Sequence, residues 1–137
     1  MLLAFLLVIA DSIFKLLKTK NMITANELRI GNWIHEFNLP TQIDSRMLQK
    51  IESANERGKI IIDLSPIPIT QEVLERCGFK KVPNTNEYFN EGKYPITLYM
   101  SNNRVSTSFW IGNEKRYLHQ LQNLYFALTG EELQYTP

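Results

Sequence analysis

The feature that most constrains this chain is a rhythm of breakers. Between Phe79 and Tyr117 the apolar runs are short, and PNTN, NEGKYP, SNNR and Gly112-Asn113 interrupt them. A helix of several turns does not fit between such interruptions. Asn, Gly and Pro at this spacing predict short strands joined by tight turns. The candidate strands are FKKV, EYF, ITLYM and STSFWI, with Gly112-Asn113 joining STSFWI to EKRYL as a hairpin. Ile96, Leu98 and Met100 alternate with Thr97 and Tyr99, the period-two pattern of a sheet with one covered face. The segment is expected to form an antiparallel β-meander or half-barrel.

Such a sheet needs a cover. The stretch YLHQLQNLYFALTGEEL places Leu118, Leu121, Leu124, Tyr125 and Leu128 on one broad helical face. Gln120, Gln122, Asn123 and Thr129 lie mostly elsewhere, Gly130 closes the helix, and Leu133 can reach its last turn. Burying such a stripe stabilises by roughly 1.5–3 kcal/mol per side chain, so core packing is the preferred reading. The other reading is a homodimer or partner surface, with Phe126 pointing away from the core.

Upstream, Gly31-Asn32 marks a turn. Trp33, His35 and Phe37 then alternate with Ile34 and Glu36 as a strand that Leu39-Pro40 ends. Asp44 or Ser45 caps a helix from about Arg46 to Glu56, with Met47, Leu48, Ile51 and Ala54 at helical spacing and Gly58 as its stop. KIIIDL reads as a short buried strand. Two prolines hold SPIPIT extended, and Thr70 caps a helix over QEVLERC. Glu72 sits where the helix dipole favours a negative charge, Gly78 is a natural C′ residue, and Phe79 folds back on the last turn. The expected fold is α+β: a strand pair or half-barrel, a middle helix, the meander, and a C-terminal helix packed on the sheet.

The first twenty residues read differently. Residues 1–10 are apolar, Asp11 interrupts, and Lys15, Lys18 and Lys20 follow. A secretory signal places its positive charge before the apolar run, and a membrane span needs about 20 largely apolar residues. Residues 1–21 are therefore expected to be an extension and 22–137 a single domain. The preferred reading of the extension is translation from an upstream in-frame start. A weak signal or anchor, and an amphipathic helix docked on the domain, are the alternatives. Membrane association is expected only if residues 1–20 belong to the native protein.

A length of 137 residues suits one domain, and 44% hydrophobic with 21% charged residues supplies an ordinary core. The formal net charge is +1. Without Lys15, Lys18, Lys20 and Asp11, the fifteen basic and fourteen acidic residues become twelve and thirteen. No global field then recruits nucleic acid or an anionic surface to the domain. One cysteine, Cys77, excludes an internal disulfide and every multi-cysteine metal or redox motif, and it fits a reducing, cytoplasmic setting. On the apolar side of its helix Cys77 reads as a small core residue rather than a nucleophile. His35 lies on a strand, and His119 at a helix start, where it can serve the backbone. Two histidines without paired carboxylates predict no metal site. Asp63, Glu72 and Glu75 form no acid–base pair, and phosphate-cradling glycine loops and nucleophile elbows are absent. The expectation is a non-enzyme with no cofactor and no small-molecule substrate.

An interaction surface is the remaining class. Its candidates are Tyr88, Phe89, Tyr99, Trp110, Lys115, Arg116 and Phe126. A nucleic-acid reading would add Tyr94 and Phe109 as stacking platforms and Lys80, Lys81, Lys93 and Arg104 for phosphates. Glu87, Glu91 and Glu114 interleave with those cations, which favours a solvated sheet face. The glycine turn and apolar strand of LRIGNWI also suit a small Src-homology-3-type barrel, an analogy of fold alone.

ELRIGNWI, SPIPITQEVLERCGF and YLHQLQNLYFALTGEEL together resemble a family of short proteins of Bacteroides-type gut bacteria and their phages and prophages. The resemblance runs from about Met22 to Leu133, and members of that family begin near Met22. It implies a small intracellular protein, often phage-borne, and supplies no activity, ligand or catalytic residue. The functional expectation is a non-enzymatic protein-interaction module acting as a phage or prophage accessory. The alternative is a nucleic-acid-binding accessory protein.

Overall fold

A computed structural model describes residues 1–21, 23–59, 61–107 and 114–137, with the backbone alone for 14–21. Helix α1 (Leu2–Asn21) comes first, then a 3-10 turn (Ala25–Glu27), β1 (Trp33–Glu36), β2 (Leu39–Gln42), α2 (Ser45–Glu56) and β3 (Leu64–Ser65). Helix α3 (Gln71–Arg76), the strands β4 (Lys80–Lys81), β5 (Glu87–Phe89), β6 (Thr97–Ser101) and β7 (Arg104–Thr107), and helix α4 (Leu118–Thr129) complete the order. The fold is α+β, with two antiparallel sheets in the orders β2-β1-β3 and β4-β5-β6-β7. Every side chain of residues 1–13 is exposed, so this half of α1 is not docked on the domain.

The first sheet departs from the expected strand in an instructive way. Phe37 does not continue β1. It forms a two-residue turn with Asn38, at φ of 50° and 62°, and Glu36 pairs with Leu39. This is the type I′ geometry, one of the two turns that match the right-handed strand twist, and it requires left-handed backbone at both positions. Asn38 suits that demand, whereas Phe37 meets it against its own preference. Leu39-Pro40 therefore opens β2 instead of ending β1. Pro40 is tolerated there because β2 lies at the sheet edge.

KIIIDL is also corrected. Only Leu64 and Ser65 join the sheet, opposite Glu36 and His35. Beyond them β1 has already bent into its turn, and a single hydrogen bond from Phe37 N–H to the Asp63 carbonyl (2.8 Å) ends the pairing. Ile61 is half-buried and Ile62 is 95% exposed, so the run is not a buried strand. Ile60 lies outside the described residues.

The helix signals hold. Asp44 caps α2 by accepting from Met47 N–H (2.8 Å), and Gly58 follows its end at φ 65°. Thr70 caps α3 by accepting from Val73 N–H (3.2 Å). At its other end Gly78 N–H reaches the Glu75 carbonyl (2.9 Å) and Phe79 N–H reaches that of Leu74 (3.0 Å). This is a Schellman closure, and it delivers Phe79 into the core.

The meander is β4 through β7. Asn102 and Asn103 take φ of 51° and 56°, so SNNR is a two-residue hairpin turn and β7 begins at Arg104. Lys115 and Val105 exchange two hydrogen bonds of 2.8 Å, which bring the EKRYL segment back beside β7. The rest of STSFWI beyond Thr107, with Phe109, Trp110 and the Gly112-Asn113 hairpin, lies outside the described residues.

Two apolar clusters organise these elements. The larger joins α3, Phe79, Tyr88, Leu98 and Val105 of the meander, and Leu118, Leu121 and Tyr125 of α4. The smaller joins Ile23, Leu28, Ile34, Ile43, Ile51 and Leu64. Alternation along β1 sends neighbours to different clusters, Ile34 to the smaller and Trp33 to the larger, where it meets Tyr135 edge-on at 5.4 Å.

Helix α4 packs on the meander as expected, but its buried face is turned. His119 and Gln122 are inside, Leu124 is half-buried and Leu128 exposed. The reason is the first sheet. Gln122 Oε1 accepts from Trp33 N–H (2.9 Å), and Gln122 Nε2 donates to the Leu133 carbonyl (3.3 Å). A polar side chain here satisfies two backbone groups that an apolar one would strand.

Candidate interaction surface

Among the described residues, those proposed from the sequence differ in their exposure. Tyr88 is 2% exposed inside the larger cluster, its hydroxyl 3.5 Å from Gln71, and burial followed by the Glu75 charge raises its pKa. Its place among the outward aromatics is therefore corrected: on β5, period-two alternation turns Tyr88 in and Glu87 and Phe89 to the other face. Tyr99 stands directly opposite Glu87 and so shares that outer face with Phe89. Lys115 is half-buried in its pairing with Val105, and Arg116 is exposed. Phe126 is exposed on α4, but the Arg29 guanidinium covers its ring at 4.2 Å. Trp110 lies outside the described residues.

Three of the six candidate cations meet carboxylates. Lys80 meets Glu91 at 3.0 Å, Arg104 meets Glu114 at 3.4 Å, and Lys93 meets Glu131 at 3.9 Å. Exposed pairs like these add about 0–1 kcal/mol each. Their weight here lies in cancelling the local field that a phosphate backbone would need.

The nucleophile and the histidines have structural environments. Burial pushes the Cys77 thiol up to about 12, leaving it a protonated core residue. Burial lowers the pKa of His35. His119, second in α4, is held down at about 4 by burial, with its Nε2 3.9 Å from Glu27 Oε2 and its ring stacked on Tyr117. Its Nδ1 has no hydrogen-bond partner among the described residues, so the expected service to the helix start is not seen. Among the described residues no three His, Cys, Asp or Glu side chains gather as a metal site.

The structure instead shows exposed apolar side chains at a hairpin that sequence reading missed. Phe37 and Leu39 at the β1–β2 hairpin are 72% and 67% exposed, and Ile62, which lines the same pocket as Phe37, is 95% exposed. Phe37, Asn38, Ile62, Asp63 and Ser65 line an open pocket of about 540 Å³. Lys50 reaches Asp63 at 3.6 Å near its rim. The turn holds Phe37 out, and the early end of β1–β3 pairing leaves Ile62 without cover. The usable signal was HEFNLP, where Asn in the second turn position marks a two-residue hairpin and places the aromatic at its tip.

A second missed group joins the segment before β1 to α4 and the residues that follow it. Arg29 donates from Nε to Asn123 Oδ1 (2.8 Å) and from both terminal nitrogens to Glu132 (2.8 and 3.1 Å). Asn32 also donates to Asn123 (3.1 Å), whose own amide donates to the Glu27 carbonyl (2.7 Å). These partners lie about a hundred residues apart in sequence, and periodicity carries no trace of them. Comparison of the chain with protein-family models, curated proteins and solved structures gives no match.

Proposed function

We propose that this chain is a non-enzymatic protein-interaction module that binds its partner through the hairpin tip of the first sheet. One observation carries the reading: Phe37 and Ile62 line one open pocket at the hairpin and are largely exposed, as is Leu39 just after the turn. Burying such side chains is worth roughly 1.5–3 kcal/mol each. Holding Phe37 in left-handed backbone costs a further ~1–3 kcal/mol. The isolated chain bears both penalties, and a protein that covers the tip with an apolar pocket removes the first. Asp63 and Lys50 at the rim offer one acceptor and one donor to orient it.

A phage or prophage accessory role, in the cytoplasm of the host, rests on the three-segment resemblance given above. The nucleic-acid reading comes second. Phe89 and Tyr99 share an outer face, but Lys80 and Arg104 are matched by carboxylates. Its test is a titration with single- and double-stranded oligonucleotides at two salt concentrations, where salt-insensitive or absent binding removes it.

The interaction reading is tested with the full chain as bait in host lysate, beside Phe37→Ser/Ile62→Ser and Tyr99→Ser. A protein identified with the wild type should be retained by Tyr99→Ser and lost, by tenfold or more, from the double variant. Equal capture by all three baits would reject the hairpin tip as the contact.

A further inference from the structure

Helix α1 offers the largest exposed apolar surface among the described residues. Leu2, Leu3, Phe5, Leu6, Leu7, Val8 and Ile13 are all exposed. We propose that α1 seats the protein on an anionic lipid bilayer, its apolar end within one leaflet and its lysine-bearing end at the headgroups.

Three observations choose the occupant. First, the apolar side chains do not form a stripe. The consecutive residues Phe5, Leu6, Leu7 and Val8 point about 100° apart and so sample nearly the whole circumference. A second copy of α1, or a groove on a protein, covers one side of a helix and leaves the others in water. A lipid phase covers all sides at once, as a helix apolar on every face requires.

Second, the length is that of half a bilayer. Leu2 to Ala10 rises about 14 Å, against a hydrocarbon core of about 30 Å. Among the described residues no helix is long and apolar enough to cross a membrane.

Third, the charge is placed to match. Asp11 ends the apolar decade, and Lys15, Lys18 and Lys20 then lie in the second half of the same helix. Lysines at this depth meet lipid phosphates while the apolar end inserts. The domain beyond is nearly neutral, so attraction to an anionic surface is concentrated in α1. The inference does not rest on the hairpin tip, which belongs to another part of the chain.

The test is flotation of the full chain with vesicles of phosphatidylcholine alone and of phosphatidylcholine mixed with phosphatidylglycerol. The wild type should float with both and several-fold more with the anionic mixture, the excess disappearing in high salt. Leu3→Asp/Leu7→Asp should stay in the soluble fraction. Lys15→Gln/Lys18→Gln/Lys20→Gln should float equally with both vesicles. Phe5→Trp adds a direct readout, because its emission should shift to the blue on vesicle addition and be quenched by lipid-borne quenchers in the near leaflet only. The proposal is overturned if the wild type stays soluble beside vesicles, or forms an oligomer that vesicles do not dissolve. Quenching from the far leaflet would equally reject the half-bilayer seat. Since α1 stands clear of the core over residues 1–13, circular dichroism of the Leu3, Leu7 and Phe5 variants should match the wild-type domain, which separates loss of binding from loss of folding.

Discussion

The two sheets solve the same problem differently. The meander turns Tyr88, Leu98 and Val105 inward against α3 and α4, and its outer face carries Glu87 opposite Tyr99. The first sheet covers Ile34 and Leu64 with α2 but ends in a tip of Phe37, Leu39 and Ile62 that nothing in the described chain covers. One sheet is complete within its own chain, and the other is complete only on one side. Both clusters contribute to the folding free energy, and the smaller sheet in addition holds an exposed surface in place. The Arg29–Asn123–Glu132 group and Gln122 couple the halves.

The largest effect of a single substitution is expected in the larger cluster. Leu121→Ala should cost about 2–5 kcal/mol, read as a drop in the urea midpoint with an unchanged slope. Ile51→Ala in the smaller cluster should cost an amount within the same range, with amide exchange rising first in β1–β3. Equal exchange enhancement in the meander would show that the two halves are one cooperative unit.

Acid tests the junction. His119 is nearly inaccessible, and burial outweighs the pull of the mostly exposed Glu27. An unfolded imidazole takes its proton near 6.5, whereas the folded one refuses it until about 4. Between these values the unfolded state binds more protons, so stability is full above 6.5, falls as pH drops toward 4 and then levels. The loss is about 3 kcal/mol. His119→Gln should flatten that segment of the stability–pH curve. If the substituted protein keeps the wild-type slope, the slope belongs to carboxylates.

The polar bridge is next. Gln122→Leu leaves Trp33 N–H and the Leu133 carbonyl without their partner, which should cost about 1–3 kcal/mol. Faster exchange of the Trp33 amide should accompany it. A neutral substitution would mean that water replaces the amide at both groups.

What the sequence made legible was local. Thr70, Gly78 and Phe79 framed α3 because capping and closure involve neighbours in the chain, and the turn Asn102-Asn103 announced itself by residue type. The meander followed from breakers and alternation. What was hidden depended on partners distant in sequence. Leu124 and Leu128 looked as apolar as Leu121, and only the seat of α4 against Trp33 turned Gln122 inward in their place. Ile62 looked buried because KIIIDL is β-branched, but burial needs a paired neighbour, and β1 had already turned. Tyr88 was misplaced among the outward aromatics because the face of a short strand is fixed only by its register with its neighbours.

Phe37 sharpens the comparison with the smallest expected effect on the fold. At φ 50° it occupies backbone that Asn accepts readily and an aromatic does not. Phe37→Asn should therefore leave the fold intact and stabilise it by roughly 1 kcal/mol, raising the melting temperature by a few degrees. A stabilising change at an exposed turn means that the natural residue is not there for stability. If the tip binds a partner, the same variant should hold its partner less well while folding better, the trade expected where strain serves contact. Measuring both on one variant separates the two sheets' tasks. A Phe37→Asn protein that is less stable than the wild type would place Phe37 with the folding residues, and the contrast between a self-sufficient sheet and a sheet that presents a surface would lose its main support.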